Sequence, residues 1–376
     1  MNYQEFKDYI VKHMKDYLSE KYQDANVEIT EVRKNNNLKL DGLTILLPEE
    51  NVCPTIYMNS FYEEFEAGRS MEEILEKIAE IRDVHDVQKN LSVKDFLNIE
   101  KTKDNIIFRV VGAKENESRL SDMPHRLEND MAIIYQIMAE KAGDGIATAQ
   151  ITNQMMERLG VDERKLYEVA LENTQREFPA TFRPMSEVIK EIMRSDFMGI
   201  NLNTLSDDDD MKPFLEALLQ EGMEEMQEER LPLFVLSNDR GINGAAALFY
   251  PDMKEQIARQ MNGDYFVLPS SIHEVLIVPD NGDADYQELK DMVNEVNQTQ
   301  VAPDEVLTGE VYSYDRESRR LMLAGEKAEK VHGTEKAEDK KASIIDTLKA
   351  KKDEVVHSSV NNKMKVNKMK TAEREI

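Results

Sequence analysis

The chain has one cysteine, Cys53, and no tryptophan. A lone thiol excludes an internal disulfide and a cysteine-rich zinc site, so nothing marks an oxidising compartment. No stretch approaches the ~18 consecutive apolar residues that span a bilayer. Residues Met1 to Leu18 carry charges where a secretory signal would carry an apolar core. These absences imply a cytoplasmic protein without a membrane segment. Basic charge is also scarce: 48 Lys and Arg against 74 Asp and Glu leave a net charge of −26. Such a balance repels the nucleic-acid backbone over the body of the protein and suits a soluble one.

What is present is a chain of 376 residues, 40% hydrophobic, long enough for a substantial core and for two domains. The 21 methionines suit a core tolerant of irregular packing. Phe6, Ile10, Met14 and Tyr17 recur at helical spacing. Residues 25–33 and 38–47 alternate polar and apolar around the connector Lys34 to Asn37, which predicts a hairpin, with a third strand at 54–58. Ser70 and Glu73 have capping-box spacing ahead of a helix whose buried stripe is Ile74, Leu75, Ile78 and Ile81. A short helix from Ser92 and a strand over 105–111 follow.

Pro124 stops regular structure, and Met131 to Met138 reads as a buried strand with a polar collar, His125, Arg126, Glu128, Asn129 and Asp130, at one end. Residues 148–174 read as two helices joined at Gly160. The second carries Asp162, Glu163, Glu168 and Glu172 against Arg164 and Lys165, which would repel a phosphate backbone and favours a plain helical hairpin. The run Asp207 to Asp210 lacks the alternation and glycine of a calcium loop and reads as the acidic start of a helix from Met211.

The stretch from Leu231 to Asp280 concentrates the polar signal. It predicts a strand over 231–236, a turn from Asp239 to Gly244, a helix over 245–261 broken near Pro251, and strands over 265–268 and 275–278. Asp285 then caps a helix with Leu289, Met292, Val293 and Val296 inside, and a hairpin closes around Asp315. His273-Glu274 lacks the second histidine of a zinc protease helix, and Gly241 and Gly244 lack the Lys-Ser/Thr of a phosphate-binding loop. Ser270, Ser271 and His273, with Asp239 or Asn238 orienting the histidine, are the candidate catalytic residues of a hydrolase, although no nucleophile-elbow motif surrounds the serines.

From Glu326 the composition turns to Lys, Glu, Ala, Asp and Ser, which predicts a disordered or weakly helical tail. Its basic end, Lys363, Lys365, Lys368 and Lys370, reads first as a solvated charged tail, with nucleic acid or the acidic body of the protein itself as the alternative contacts.

Several stretches, MNYQEFKDYI, PTIYMNSFYEEFEAGRSMEEIL, MPHRLENDMAIIYQI, YEVALENTQREFPA, LSNDRGINGAAALFYPDM and DYFVLPSSIHEVLIVPD, together resemble DUF5688, a family of anaerobic Gram-positive bacteria. The resemblance covers about residues 1–325. It implies a setting among mobile-element genes and supplies no activity and no site residue.

The expected fold is α+β, with mixed, largely antiparallel sheets and packed helices: a small unit over 1–90, a larger one over 91–325 and a tail over 326–376. The expected function is a cytoplasmic accessory or binding protein with its site at residues 237–244 and 269–274, taking a protein partner or a small ligand. The alternatives are a Ser/His/Asp hydrolase and an acidic mimic of DNA. No motif names a metal or a cofactor.

Overall fold

The computed structural model describes residues 1–48, 50, 53–84, 97–142, 145–196, 232–269, 271–282 and 284–325. The expected start of the helix at Ser92, the acidic run 207–210 with its helix, Leu231, Ser270 and the tail from Glu326 lie outside them. The fold is α+β, and every strand pair among the described residues is antiparallel. No described helix is long and apolar enough to cross a membrane. The described residues divide into two compact units, one built from Met1–Lys103 with Arg158–Gly160, the other from Asp104–Glu157 and Val161 to Gly325.

In the first unit, helix α1 (Tyr3–His13) opens with a capping box between Asn2 and Glu5, and Met14 continues as a turn of 3-10 helix. Its apolar spacing puts Phe6, Ile10 and Met14 at zero exposure. Burying each contributes about 2 kcal/mol. Strands β1 (Asn26–Arg33) and β2 (Lys39–Leu46) pair in register from Asn26↔Leu46 to Arg33↔Lys39, and β3 (Thr55–Tyr57) joins β2. Helix α2 (Met58–Glu66) leaves β3 directly; with no side-chain cap at Tyr57, it lacks the start signal that sequence reading depends on. Helix α3 (Met71–Val84) has the expected Ser70–Glu73 cap and buries Ile74, Leu75 and Ile78. Two more α3 residues, Ala79 and Arg82, are inside against expectation. Arg82, 1% exposed, donates to Ile45 O (3.0 Å), Tyr22 Oη (3.0 Å) and Glu50 Oε2 (2.7 Å), which satisfies the buried charge.

The second unit holds two sheets. In the smaller, β4 (Ile106–Gly112) pairs with β6 (Met131–Ala142), whose other edge carries β5 (His125–Glu128) and β7 (Gly145–Gln150). Two sequence expectations change here. His125, Arg126 and Glu128 are a strand rather than a collar, because Pro124, which has no N–H to give, only has to precede the first residue of an edge strand. Thr148 belongs to β7 rather than to a helix; the helical pair begins later, at α4 (Asn153–Leu159), and resumes after Gly160 (φ 69°) as α5 (Glu163–Glu177).

The larger sheet has six strands. Its order is β13 (Arg320–Leu323), β12 (Tyr312–Asp315), β10 (Tyr265–Pro269), β11 (Val275–Pro279), β9 (Phe234–Asn238) and β8 (Ala180–Pro184). The central stretch therefore supplies three adjacent strands, with β9 reaching two residues beyond its expected end. Between β9 and β10 lie a 3-10 turn (Gly244–Phe249) and helix α6 (Met253–Met261), separated near Pro251 as its missing N–H requires. Helix α7 (Tyr286–Thr299), capped by Asp285, packs Leu289 and Val293 with Phe266, Leu268 and Val278.

Candidate functional site

Register puts the two polar loops side by side. Leu236 of β9 pairs with Val275 of β11, so the chain leaving β9 at Asn238 and the chain entering β11 at Glu274 meet at one sheet end. Asn238 organises the first loop: its Oδ1 accepts from the N–H of Arg240 (3.0 Å) and Ile242 (3.4 Å), and its Nδ2 donates to Ile242 O (2.8 Å). An asparagine side chain here replaces backbone partners that the turn cannot provide. Asn243 then takes φ 52°, and Gly244 passes under the second loop. A Cβ on Gly244 would stand 2.2 Å from Ser237 Oγ, 2.3 Å from His273 O and 2.9 Å from Asn238 N, so the close approach requires glycine.

Across this contact, Ser237 Oγ donates to His273 O (2.8 Å) and Ala245 N donates to Ile272 O (3.2 Å). Asn243 N donates to His273 Nδ1 at 3.1 Å. An accepting Nδ1 places the proton of the neutral ring on Nε2. That nitrogen lies 3.4 Å from Glu305 Oε1. Glu305 belongs to a third segment, and its carbonyl also accepts from Ile272 N (2.8 Å). The His273 and Glu305 side chains are 31% and 45% exposed, so the pair meets solvent at the rim of the loops. Burial pushes the adjacent Glu274 carboxyl above the usual carboxylate range, with His273 opposing.

The predicted site residues are therefore only partly brought together. Ser271 is buried, and its Oγ accepts from the backbone N–H of His273 (3.0 Å) rather than meeting the imidazole. Asp239 is exposed and makes no hydrogen bond or ion pair with His273; its backbone N–H donates to Pro179 O (3.1 Å). Ser270 lies outside the described residues. The carboxylate beside His273 is Glu305, 32 positions along the chain, and no local spacing signals that pairing. Behind the first loop, Ile107, Phe108, Thr174, Phe178, Asn238, Ile242 and Asn243 line a crevice with room for about one water molecule.

A second polar cluster lies on β5, β6 and α5. Arg126 Nε and Nη2 donate to the two Glu163 carboxylate oxygens (3.2 and 3.1 Å), Tyr135 Oη donates to the same carboxylate, and the Arg126 guanidinium stacks 3.8 Å from the Tyr167 ring centre. Burial first, and then Glu163, push the Tyr135 hydroxyl far above its ordinary range. The mutual saturation of these groups ties the helix start to the sheet.

A family model described as a family of unknown function (DUF5688) matches residues 3–316. No curated protein and no solved structure matches the chain.

Proposed function

We propose that this chain, which belongs to the family of unknown function DUF5688, is a binding protein that receives a polar group of its partner at the rim where residues 237–244 meet residues 271–274. The observation that carries the reading is the fixed orientation of His273. Its Nδ1 accepts from Asn243 N, and its Nε2 faces Glu305 Oε1 at 3.4 Å, with both side chains reaching solvent at the rim. A donor beside a carboxylate complements a group with both an acceptor and an N–H, such as an amide of a peptide or small ligand.

The hydrolase reading is less well supported. With one ring nitrogen accepting and the other carrying the proton, the neutral imidazole has no free lone pair for a nucleophile, and the Ser271 hydroxyl is turned to the backbone. A cytoplasmic accessory role within a mobile element rests on the family resemblance and on the acidic, disulfide-free composition.

Affinity capture from a native-host extract, quantified by mass spectrometry for the wild type, His273→Ala and Glu305→Gln, tests the reading. Each variant is expected to recover the bound species about tenfold less well, the equivalent of about 1.4 kcal/mol. Equal recovery by all three proteins rejects it.

A further inference from the structure

We propose that strand β1 of the first unit is a docking edge for a second copy of this chain, the two β1 strands pairing antiparallel about a two-fold axis at Ile29. This surface belongs to the first unit alone and does not depend on the rim at His273.

β1 pairs with β2 along one side, and no described strand pairs along its other side. The hairpin fixes which backbone groups that open side presents. Lys34 N donates to Leu38 O (2.8 Å), and these two residues continue the register that sets Arg33 against Lys39. Hydrogen-bonded pairs alternate along an antiparallel ladder, so Asn26, Glu28, Thr30 and Val32 turn their N–H and C=O groups towards β2. Two bonds on β2 agree: Asp41 N donates to Asn59 Oδ1 (2.9 Å) and Ile45 O accepts from Arg82 Nε (3.0 Å), both on the side away from β1. Val27, Ile29, Glu31 and Arg33 therefore turn theirs outward, and none of those groups bonds a described residue. Such a row is a template for another strand, and at 8 residues β1 is the longest edge strand among the described residues.

The side chains of β1 suit a second copy of itself. Outward groups meet outward groups only when odd-numbered residues face odd-numbered ones, and a two-fold axis then leaves few registers. Centring on Glu31 sets that carboxylate against itself, and centring on Thr30 sets Ile29 against Glu31 and Glu28 against Val32. Centring on Ile29 sets no like charges opposite one another. Ile29 then faces Ile29, beside Val27 on the half-buried face that packs on the core of the unit, and Glu28 faces the Thr30 hydroxyl. At each end this register brings Asp24 of one copy opposite Lys34 of the other. Neither forms an ion pair with a described residue; Asp24 is exposed, and Lys34 Nζ is steered by the Tyr57 ring, 4.3 Å from its centre. The net charge of −26 on each copy opposes association at long range, and salt screens it beyond about 8 Å at physiological ionic strength.

The test is sedimentation equilibrium of the full-length protein at physiological salt, over about 5–200 µM. The mean mass is expected to climb from the 43.4 kDa of one chain towards twice that value. Glu31→Pro removes an outward N–H and no β2 ladder bond, a change an edge strand accommodates, and is expected to weaken association at least about tenfold. Asp24→Lys and Lys34→Asp each set like charges opposite one another and are each expected to weaken it by about tenfold. The double variant Asp24→Lys/Lys34→Asp is expected to associate as the wild type does, which a merely misfolded single variant would not allow. His273→Ala is expected to leave association unchanged. A single-chain mass throughout the range, association retained in Glu31→Pro, or a double charge variant no better than either single one overturns the proposal.

Discussion

Glu274 shows how a single residue at the rim couples to pH. Its folded-state carboxyl is raised, chiefly by burial, so the folded protein holds that proton more tightly than the unfolded chain does. The stability this contributes is present below the ordinary glutamate range and is lost as pH rises through the raised folded value. Glu274→Gln cannot lose it. The variant is expected to melt a few degrees above the wild type at about pH 7, with the difference narrowing towards about pH 4. Scanning fluorimetry across that range checks this, and an equal or lower midpoint at neutral pH contradicts it. At this scale the sequence pointed to the right neighbourhood but not to the right pairs. His273, Ser271 and Asp239 were legible as polar residues in turns, whereas the pairing of His273 with Glu305 depends on a segment brought back by the sheet.

Among the elements, α5 serves at both ends. Its start is fixed by Asp162, whose side chain accepts from Lys165 N (2.8 Å), and by Glu163 bridging Arg126 and Tyr135. Its last turns cover an otherwise open strand edge: Thr174 Oγ1 accepts from Phe108 N (2.9 Å), and Asn173 Nδ2 donates to Ile106 O (2.8 Å). Strand edges left bare invite pairing with other chains, and buried polar side chains of a helix prevent that here. Asp162→Ala is expected to destabilise the protein by about 1 kcal/mol, with Asp162→Asn retaining most of the stability. Denaturant melts resolve such a difference, and an alanine variant as stable as the wild type would remove the cap from the account. Periodicity marked this helix and the buried β6. Strand β5 and helix α2 escaped because one is a short edge strand behind a proline and the other begins without a cap.

At the scale of the whole molecule, each unit has its own interior: a core gathered around α1 and α3 in the first, and around the two sheets in the second. Two substitutions probe them separately. Arg82→Met strands the part-buried Glu50 carboxylate and leaves the buried Tyr22 hydroxyl and Ile45 carbonyl without their donor, and is expected to cost the first unit about 3 kcal/mol. Gly244→Ala forces a Cβ against His273 O and Asn238 N and is expected to cost the second about 3 kcal/mol. Differential scanning calorimetry should show two transitions, one moved by each variant. A single transition displaced equally by both would mean that the units unfold together. The first unit runs to Lys103 and includes the helical turn Ile99–Thr102.

The sequence by itself determined which segments become helix or strand wherever periodicity and capping agree, the α+β class, and the turn chemistry of the central stretch, because these follow from neighbours a few residues apart. Tertiary structure alone decided that Arg82 is an interior residue and that His273 meets Glu305 and Asn243 rather than a serine and an aspartate. The physical reason is the same in each case. Burial and charge pairing are set by residues far apart in the chain, and only the sheet register that brings those residues together fixes what each polar group in the central loops can touch.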